Sequence, residues 1–152
     1  MMADAGATIH ASAVLVGAKA ALIRGPAGAG KSRLVLALLQ MAEAGALTFA
    51  RLVGDDRIHA EASHGRLLVR PAAQLAGLLE VRGLGIRRFA FEPVAVARLV
   101  IDLGAEGAER LPKAGEQETT ISGIRLPRLA VASGTEPLQP VLVLLRTMAS
   151  GN

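Results

Sequence analysis

Eight consecutive residues, Gly25, Pro26, Ala27, Gly28, Ala29, Gly30, Lys31 and Ser32, satisfy every fixed position of the pattern G-x-x-x-x-G-K-[ST]. The chemistry this spacing supports is capture of a polyanion. Glycines let a short loop turn its backbone N–H groups inward, and the helix that follows adds the favourable end of its dipole. Lys31 is then placed to reach β- and γ-phosphates. Ser32 offers a hydroxyl to Mg²⁺, a cation that takes oxygen ligands and keeps several waters. A glycine-rich turn with an exposed lysine is the competing reading, and the flanking residues weigh against it. Ala20 to Ile23 is a short apolar run of buried-strand type, and Arg33 to Ala44 is apolar at helical spacing.

Two further groups carry polar chemistry. Gly54-Asp55-Asp56-Arg57 follows the β-like run Leu47 to Val53, which puts two carboxylates at the end of a buried strand, where a metal and an attacking group would meet. An Asp-rich turn is the plainer alternative. Leu79, Glu80, Val81, Arg82, Gly83, Leu84, Gly85 and Ile86 place a carboxylate, a guanidinium and two glycines together after Leu78. Glycine pairs permit a bent or mobile loop, and the polar pair gives it something to bind. A simple strand-to-loop exit explains that segment as well. His10, in the first β-like run, reads locally as structural. His59 and His64 read as surface residues, and no His/Asp spacing suggests zinc.

The elements that must position these groups follow from apolar period and turn residues. Thr8 to Val16 and Ala20 to Ile23 flank Gly17-Ala18-Lys19 and predict a hairpin leading into the loop. The helix after the loop carries Leu34, Val35, Leu38, Leu39, Met41 and Ala42 on one stripe, and Gly45 is its natural stop. Ile58 to Ala62 and Leu67 to Arg70 predict a second hairpin around Ser63-His64-Gly65-Arg66, followed after Pro71 by a short helical stretch. Val94 to Leu103 is a strand candidate, and Gly104 to Glu118 a polar surface loop. Thr119 to Ile121 and Ile124 to Leu126 enclose Ser122-Gly123 as a third hairpin, with Leu129 to Val131 a separate short strand. Val141 to Met148 reads as helix or strand. One long helix among many β-like segments predicts a strand-rich α/β fold.

Composition bounds the function class. The chain of 152 residues is sized for one well-buried domain, expected over residues 1–152. Its apolar runs fall short of the roughly 18 to 20 residues of a membrane span. Seventeen Lys plus Arg against thirteen acids leave a net charge of +4, yet no Tyr or Trp is present for base stacking. An acidic small molecule and an acidic protein are therefore preferred over nucleic acid as partners. Residues 1–6 show no basic segment followed by an apolar one, so no secretory leader is expected. Zero cysteines exclude disulfides and thiolate sites. The phosphate loop argues for the cytoplasm.

Taken together, the loop, the Asp55-Asp56 pair and the Leu79 to Ile86 segment resemble the catalytic domain of the HPr kinase/phosphorylase family. That family has an Asp-Asp pair after its phosphate loop and an L-E-[VI]-R-G-x-G-I signature. The likeness runs from about Ile9 to Leu145. It implies a P-loop kinase-like core related to ATP-type phosphoenolpyruvate carboxykinase. It further implies an ATP- and Mg²⁺-dependent protein serine kinase acting on HPr or an HPr-like phosphocarrier, with a phosphate-dependent reverse reaction. By the same resemblance His10 lies near the transferred phosphate, Lys31 is the loop lysine, Ser32 and Glu80 are magnesium ligands, Asp56 is the general base and Arg110 is the arginine of a D-R-L-G segment. If the pair is still strand-like, side chains alternate faces, which leaves Asp55 to the metal shell. A homo-oligomer, a hexamer by resemblance, is implied too.

The chain departs from the family in three places. The phosphate loop begins at residue 25, as expected of a short α-proteobacterial form without the separate N-terminal domain. The C-terminal helices that grip HPr read as truncated at Asn152. Glu136-Pro137-Leu138 stands where the family often has G-R-N, which bears on the dephosphorylating direction more than on the kinase direction. A non-catalytic ATP-sensing module and a small-molecule kinase are the rival readings.

Overall fold

The computed structural model describes residues 7–150, and residues 1–6, on which the leader expectation falls, lie outside them. Its strands are β1 (Ala7–Ile9), β2 (Ala11–Val16), β3 (Lys19–Arg24), β4 (Ala50–Gly54), β5 (Ile58–Ser63), β6 (Arg66–Pro71), β7 (Leu78–Val81), β8 (Gly85–Arg88), β9 (Ala95–Leu103), β10 (Glu118–Ile121) and β11 (Ile124–Val131). Two helices, α1 (Lys31–Glu43) and α2 (Leu138–Ser150), complete it, with a 3-10 turn at Ala73–Leu75. The main mixed sheet runs β1-β5-β6-β9-β3-β2-β4, with β11 on β9 and β10 on β11, while β7 and β8 form a separate ribbon.

β9 is the spine. It pairs antiparallel with β6 through Ala95 to Ala97, parallel with β3 from Ala97 to Asp102, and parallel with β11 from Val100 to Leu103. β2 is antiparallel to both β3 and β4, so β3, β4, β9 and β11 all point the same way. Their C-terminal ends share one edge, the place where open α/β sheets bind ligands.

Period-two alternation divides the core in two. Val14, Ala21, Ile23, Leu99 and Ile101 face Leu34, Val35 and Leu38 of α1 and Val141 and Leu145 of α2. Ala13, Ala20, Leu22 and Val100 face Ile58, Ala60, Leu67, Val69 and Val53. Because β5 and β6 share this second cluster with β2 and β4, the sheet curls onto itself. Among the described residues, no helix is long and apolar enough to cross a membrane.

Several expected elements differ. The run from Thr8 to Val16 is broken at His10 into β1, which pairs with β5, and β2, which pairs with β3. The strand after α1 starts at Ala50, because Leu47 is buried in the turn that leaves the helix. Ile124 to Leu126 and Leu129 to Val131 are one strand containing Pro127. Proline cannot donate to a ladder, but here β11 changes partner, from β10 up to Pro127 to β9 from Arg128 onward. Leu79 to Ile86 is a hairpin instead of a strand running out into a loop, and the C-terminal segment is helix.

Gly54 ends β4 against Pro71. A Cβ there would lie 2.7 Å from Ile58 Cδ1 and 3.1 Å from the Pro71 Cα. The isoleucine tip can move, but the proline backbone cannot. Gly54→Ala is expected to destabilise the fold by about 1–3 kcal/mol, as overpacking does. A urea midpoint lowered at unchanged slope is the result that checks it.

Candidate active site

The phosphate loop leaves β3 at Gly25 and ends at Gly30, the residue before α1. Gly28 (φ 83°) and Gly30 (φ 102°) are in the left-handed region that glycine enters without a Cβ clash. α1 has no side-chain cap and no acid in its first turn. Its first amides and its dipole are thus left for an external anion. Lys31 is buried, and its Nζ donates to the carbonyls of Gly25 (2.8 Å) and Pro26 (3.2 Å), bracing the loop from within.

Behind the loop sits Asp55, 7% exposed. Ser32 Oγ donates to it at 2.7 and 2.9 Å, Ser12 Oγ at 2.6 Å, and the backbone N–H of Glu80 at 3.2 Å. A carboxylate only accepts, so the Ser32 proton points at Asp55 and the hydroxyl lone pairs are left for another group. Asp56 points the other way, into solvent, where its Oδ1 is 3.0 Å from His10 Nε2. The expected opposition of the two aspartates holds, but its cause differs. β4 ends at Gly54, and Asp56 sits in the left-handed region at φ 73°, which Asp tolerates better than most residues. The break at His10 is what brings the imidazole over Asp56.

Glu80 lies on the β7–β8 ribbon, opposite Ile86. Leu79 is buried in the core and anchors the ribbon, whereas Leu84 and Ile86 are exposed. The signature segment thus reaches the site through the Glu80 backbone, with the Glu80 side chain on the exposed surface.

Arg110 is not brought to the Asp55-Asp56 pair. Its guanidinium is bidentate on Glu116 at 2.9 and 3.1 Å, within the 104–117 loop. Arg128 donates to the Glu116 carbonyl (2.9 Å) and to Asp102. Arg24, the last residue of β3, binds Asp102 bidentately at 2.7 and 2.9 Å. Burial pushes the Asp102 carboxyl up, but hydrogen bonds from Arg24 and Arg128, reinforced by their charges, outweigh it and hold the group below its usual range. Sequence reasoning overlooked Arg24, Asp102, Arg128 and Ser12. For Arg24, Asp102 and Ser12 the available signal was a position near a strand end on the phosphate-loop edge, whereas Arg128 lies inside β11.

On the flank opposite Asp56, a cavity of about 270 Å³ is bounded by Pro26 to Ala29, Leu103, Val131 and Pro137. Glu136 and Pro137 lead into α2, which begins at Leu138. Leu138 N–H lies 3.3 Å from Glu136 Oε1, and Glu136 pairs with Arg33 at 3.6 Å.

The oxygen donors fit Mg²⁺. Among the described residues no cluster of three or more His, Cys, Asp or Glu is present, yet Mg²⁺ at phosphate sites uses one or two protein ligands and completes its shell with phosphate and water. The Ser32 hydroxyl, held by the buried Asp55 behind it, is one such oxygen ligand.

No family model matches the chain. It is similar to the HPr kinase/phosphorylase proteins of Streptococcus pyogenes serotypes M5, M3 and M1, each 34% identical over 122 residues, 72% of this chain and 37% of the relative. The chain thus spans little more than a third of their length. Its fold is that of the Hpr(Ser) kinase/phosphatase from Coxiella burnetii, with TM-score 0.77 and 24% identity, covering 95% of this chain and 97% of that one.

The Arg110 clasp has a pH signature. Hydrogen bonds from Arg110 and from the Lys113 backbone lower the Glu116 carboxyl from 4.5 to about 2. A depressed acid stabilises the loop above its ordinary range and loses that effect as pH falls through the folded value. The clasp is therefore expected to persist below pH 4.5 and open toward about 2. In an NMR titration, Glu116 should move back up toward the ordinary carboxylate range in Arg110→Ala. An unchanged midpoint in that variant refutes the assignment.

Proposed function

Because the chain belongs to the HPr kinase/phosphorylase family and matches its catalytic part, we propose that it transfers the γ-phosphoryl group of ATP to a serine hydroxyl of HPr or an HPr-like phosphocarrier. The observation that carries this reading is the layering at the sheet edge. The loop and Ser32 rest on a buried Asp55, and Asp56 stands in front of them with its side chain 62% exposed. A base open to solvent suits a hydroxyl presented on a large partner better than one enclosed with a small metabolite.

The loop amides and Lys31 bind the β- and γ-phosphates, and the base and ribose lie toward the 270 Å³ cavity. Ser32 and Glu80 would hold Mg²⁺, which when bound neutralises charge on the β- and γ-phosphates. Asp56 accepts the serine proton as the bond from serine oxygen to γ-phosphorus forms and the bond to the ADP oxygen breaks. His10 orients Asp56 through their 3.0 Å contact. The same proton path run backwards serves transfer to inorganic phosphate. Cytoplasmic location and assembly as a homo-oligomer belong to this reading. The rival, an ATP-sensing module without turnover, draws on Arg110 being committed to Glu116 instead of the acid pair.

Incubation with ATP, Mg²⁺ and purified HPr, followed by intact-mass analysis, separates the two, since only the kinase adds a phosphoryl group to HPr. Asp56→Asn should retain ATP binding and lose on the order of 10²–10⁴ in rate, the usual cost of a removed proton-transfer group. Retention of more than about a tenth of parental turnover contradicts the assigned base. Lys31→Ala should weaken ATP binding in calorimetry and abolish transfer, because the phosphates lose their cation. Equal affinity in mutant and parent rejects the loop as the nucleotide site.

A further inference from the structure

Ser12 is fully buried in β2 between two alanines, Ala11 and Ala13, that are equally buried. A lone hydroxyl in an apolar strand is tolerated where its bonds are made, and both bonds of Ser12 go to the aspartate pair. Its Oγ donates to Asp55 Oδ1 at 2.6 Å and lies 3.3 Å from the Asp56 backbone N–H, which donates to it. Two residues earlier, at the break between β1 and β2, His10 holds the Asp56 carboxylate. The segment from His10 to Ser12 therefore grips Asp55 by its side chain and Asp56 by both backbone and side chain.

We propose that Ser12 is a positioning residue that sets the aspartate pair for metal and proton transfer, an inference that rests on the kinase reading. Its proton occupies one lobe of Asp55 Oδ1, so Ser32, at 2.7 Å from the same oxygen, must approach from the loop side with its lone pairs turned toward the phosphates. Its lone pair anchors the amide of Asp56, the residue whose left-handed φ of 73° throws the carboxylate outward. Without the hydroxyl, Asp55 turns toward Ser32 and the Asp56 turn loosens. One deletion thus acts on Mg²⁺ use and on turnover together. Groups that support metal-binding residues typically cost 10- to 100-fold in metal affinity or activity when removed.

The test uses Ser12→Ala and the shape-matched pair Ser12→Thr and Ser12→Val, which differ by a hydroxyl against a methyl. Binding of a non-hydrolysable ATP analogue is followed by calorimetry with and without Mg²⁺, beside thermal melting and kcat on HPr. S12A and S12V are expected to need roughly 10-fold more Mg²⁺ and to lose roughly 10-fold in kcat. Mg²⁺-free binding should stay at the parent level, and S12T should lie close to the parent in all three. Equal Mg²⁺ requirement and kcat in S12T and S12V overturns the proposal. So does loss of folding in every variant lacking the hydroxyl, which would make Ser12 a residue of the fold alone. HPr phosphorylation by the parent is measured separately. Its absence sinks the kinase reading while leaving the Ser12 result, read on nucleotide and Mg²⁺ binding, intact.

Discussion

A buried carboxylate must be bonded or it destabilises the fold, and Asp55 is the point at which this domain meets that demand. Its four hydrogen bonds come from β2 through Ser12, from the start of α1 through Ser32 twice, and from β7 through the Glu80 amide. Three segments that are distant in sequence are thereby held to the end of β4. The phosphate loop, β2 and the signature ribbon keep their relative places because each donates to one acceptor. No buried polar side-chain atom among the described residues is left without a partner.

Strand direction makes this convergence possible. With β3, β4, β9 and β11 parallel, the residues that leave them, Gly25, Asp55, Gly104 and Ala132, all emerge on one edge. β2 runs the opposite way and begins at that edge, which puts Ser12 among them. A second acceptor, Asp102 at the end of β9, does on the cavity side what Asp55 does on the acid side. It joins Arg24 before the phosphate loop to Arg128 on β11. The loop is thus bracketed by two carboxylates, one just past β4 and one near the end of β9, parallel strands that β3 and β2 separate in the sheet.

What the sequence disclosed was local. The loop, the α1 stripe, the hairpin from Ile58 to Arg70 and the aspartate pair are each specified by residues close together, through period or turn chemistry. Contacts that span the chain were not legible. Ser12 looks like any strand serine until Asp55 is seen 43 residues later, and Arg24 and Asp102 are 78 apart. Ile124 to Leu126 and Leu129 to Val131 read as separate strands because the sequence does not reveal where a strand exchanges one neighbour for another. The Leu79 to Ile86 hairpin was obscured by its four exposed β8 residues, which carry no alternation to read.

On the proposed kinase reading, one turn divides labour between two adjacent identical residues. Phosphoryl transfer asks little covalent chemistry of a protein and much placement of charge. A group that sets a metal-binding hydroxyl works best where water is excluded and its geometry is fixed, and Asp55 has that environment. In the proposed transfer, the group that collects the serine proton must be reachable, and Asp56, with its side chain 62% exposed, is. Continued strand geometry would have opposed the two side chains but kept both near the sheet. The left-handed residue instead swings Asp56 clear of the edge to meet His10, so that the buried and the accessible roles fall to neighbouring carboxylates.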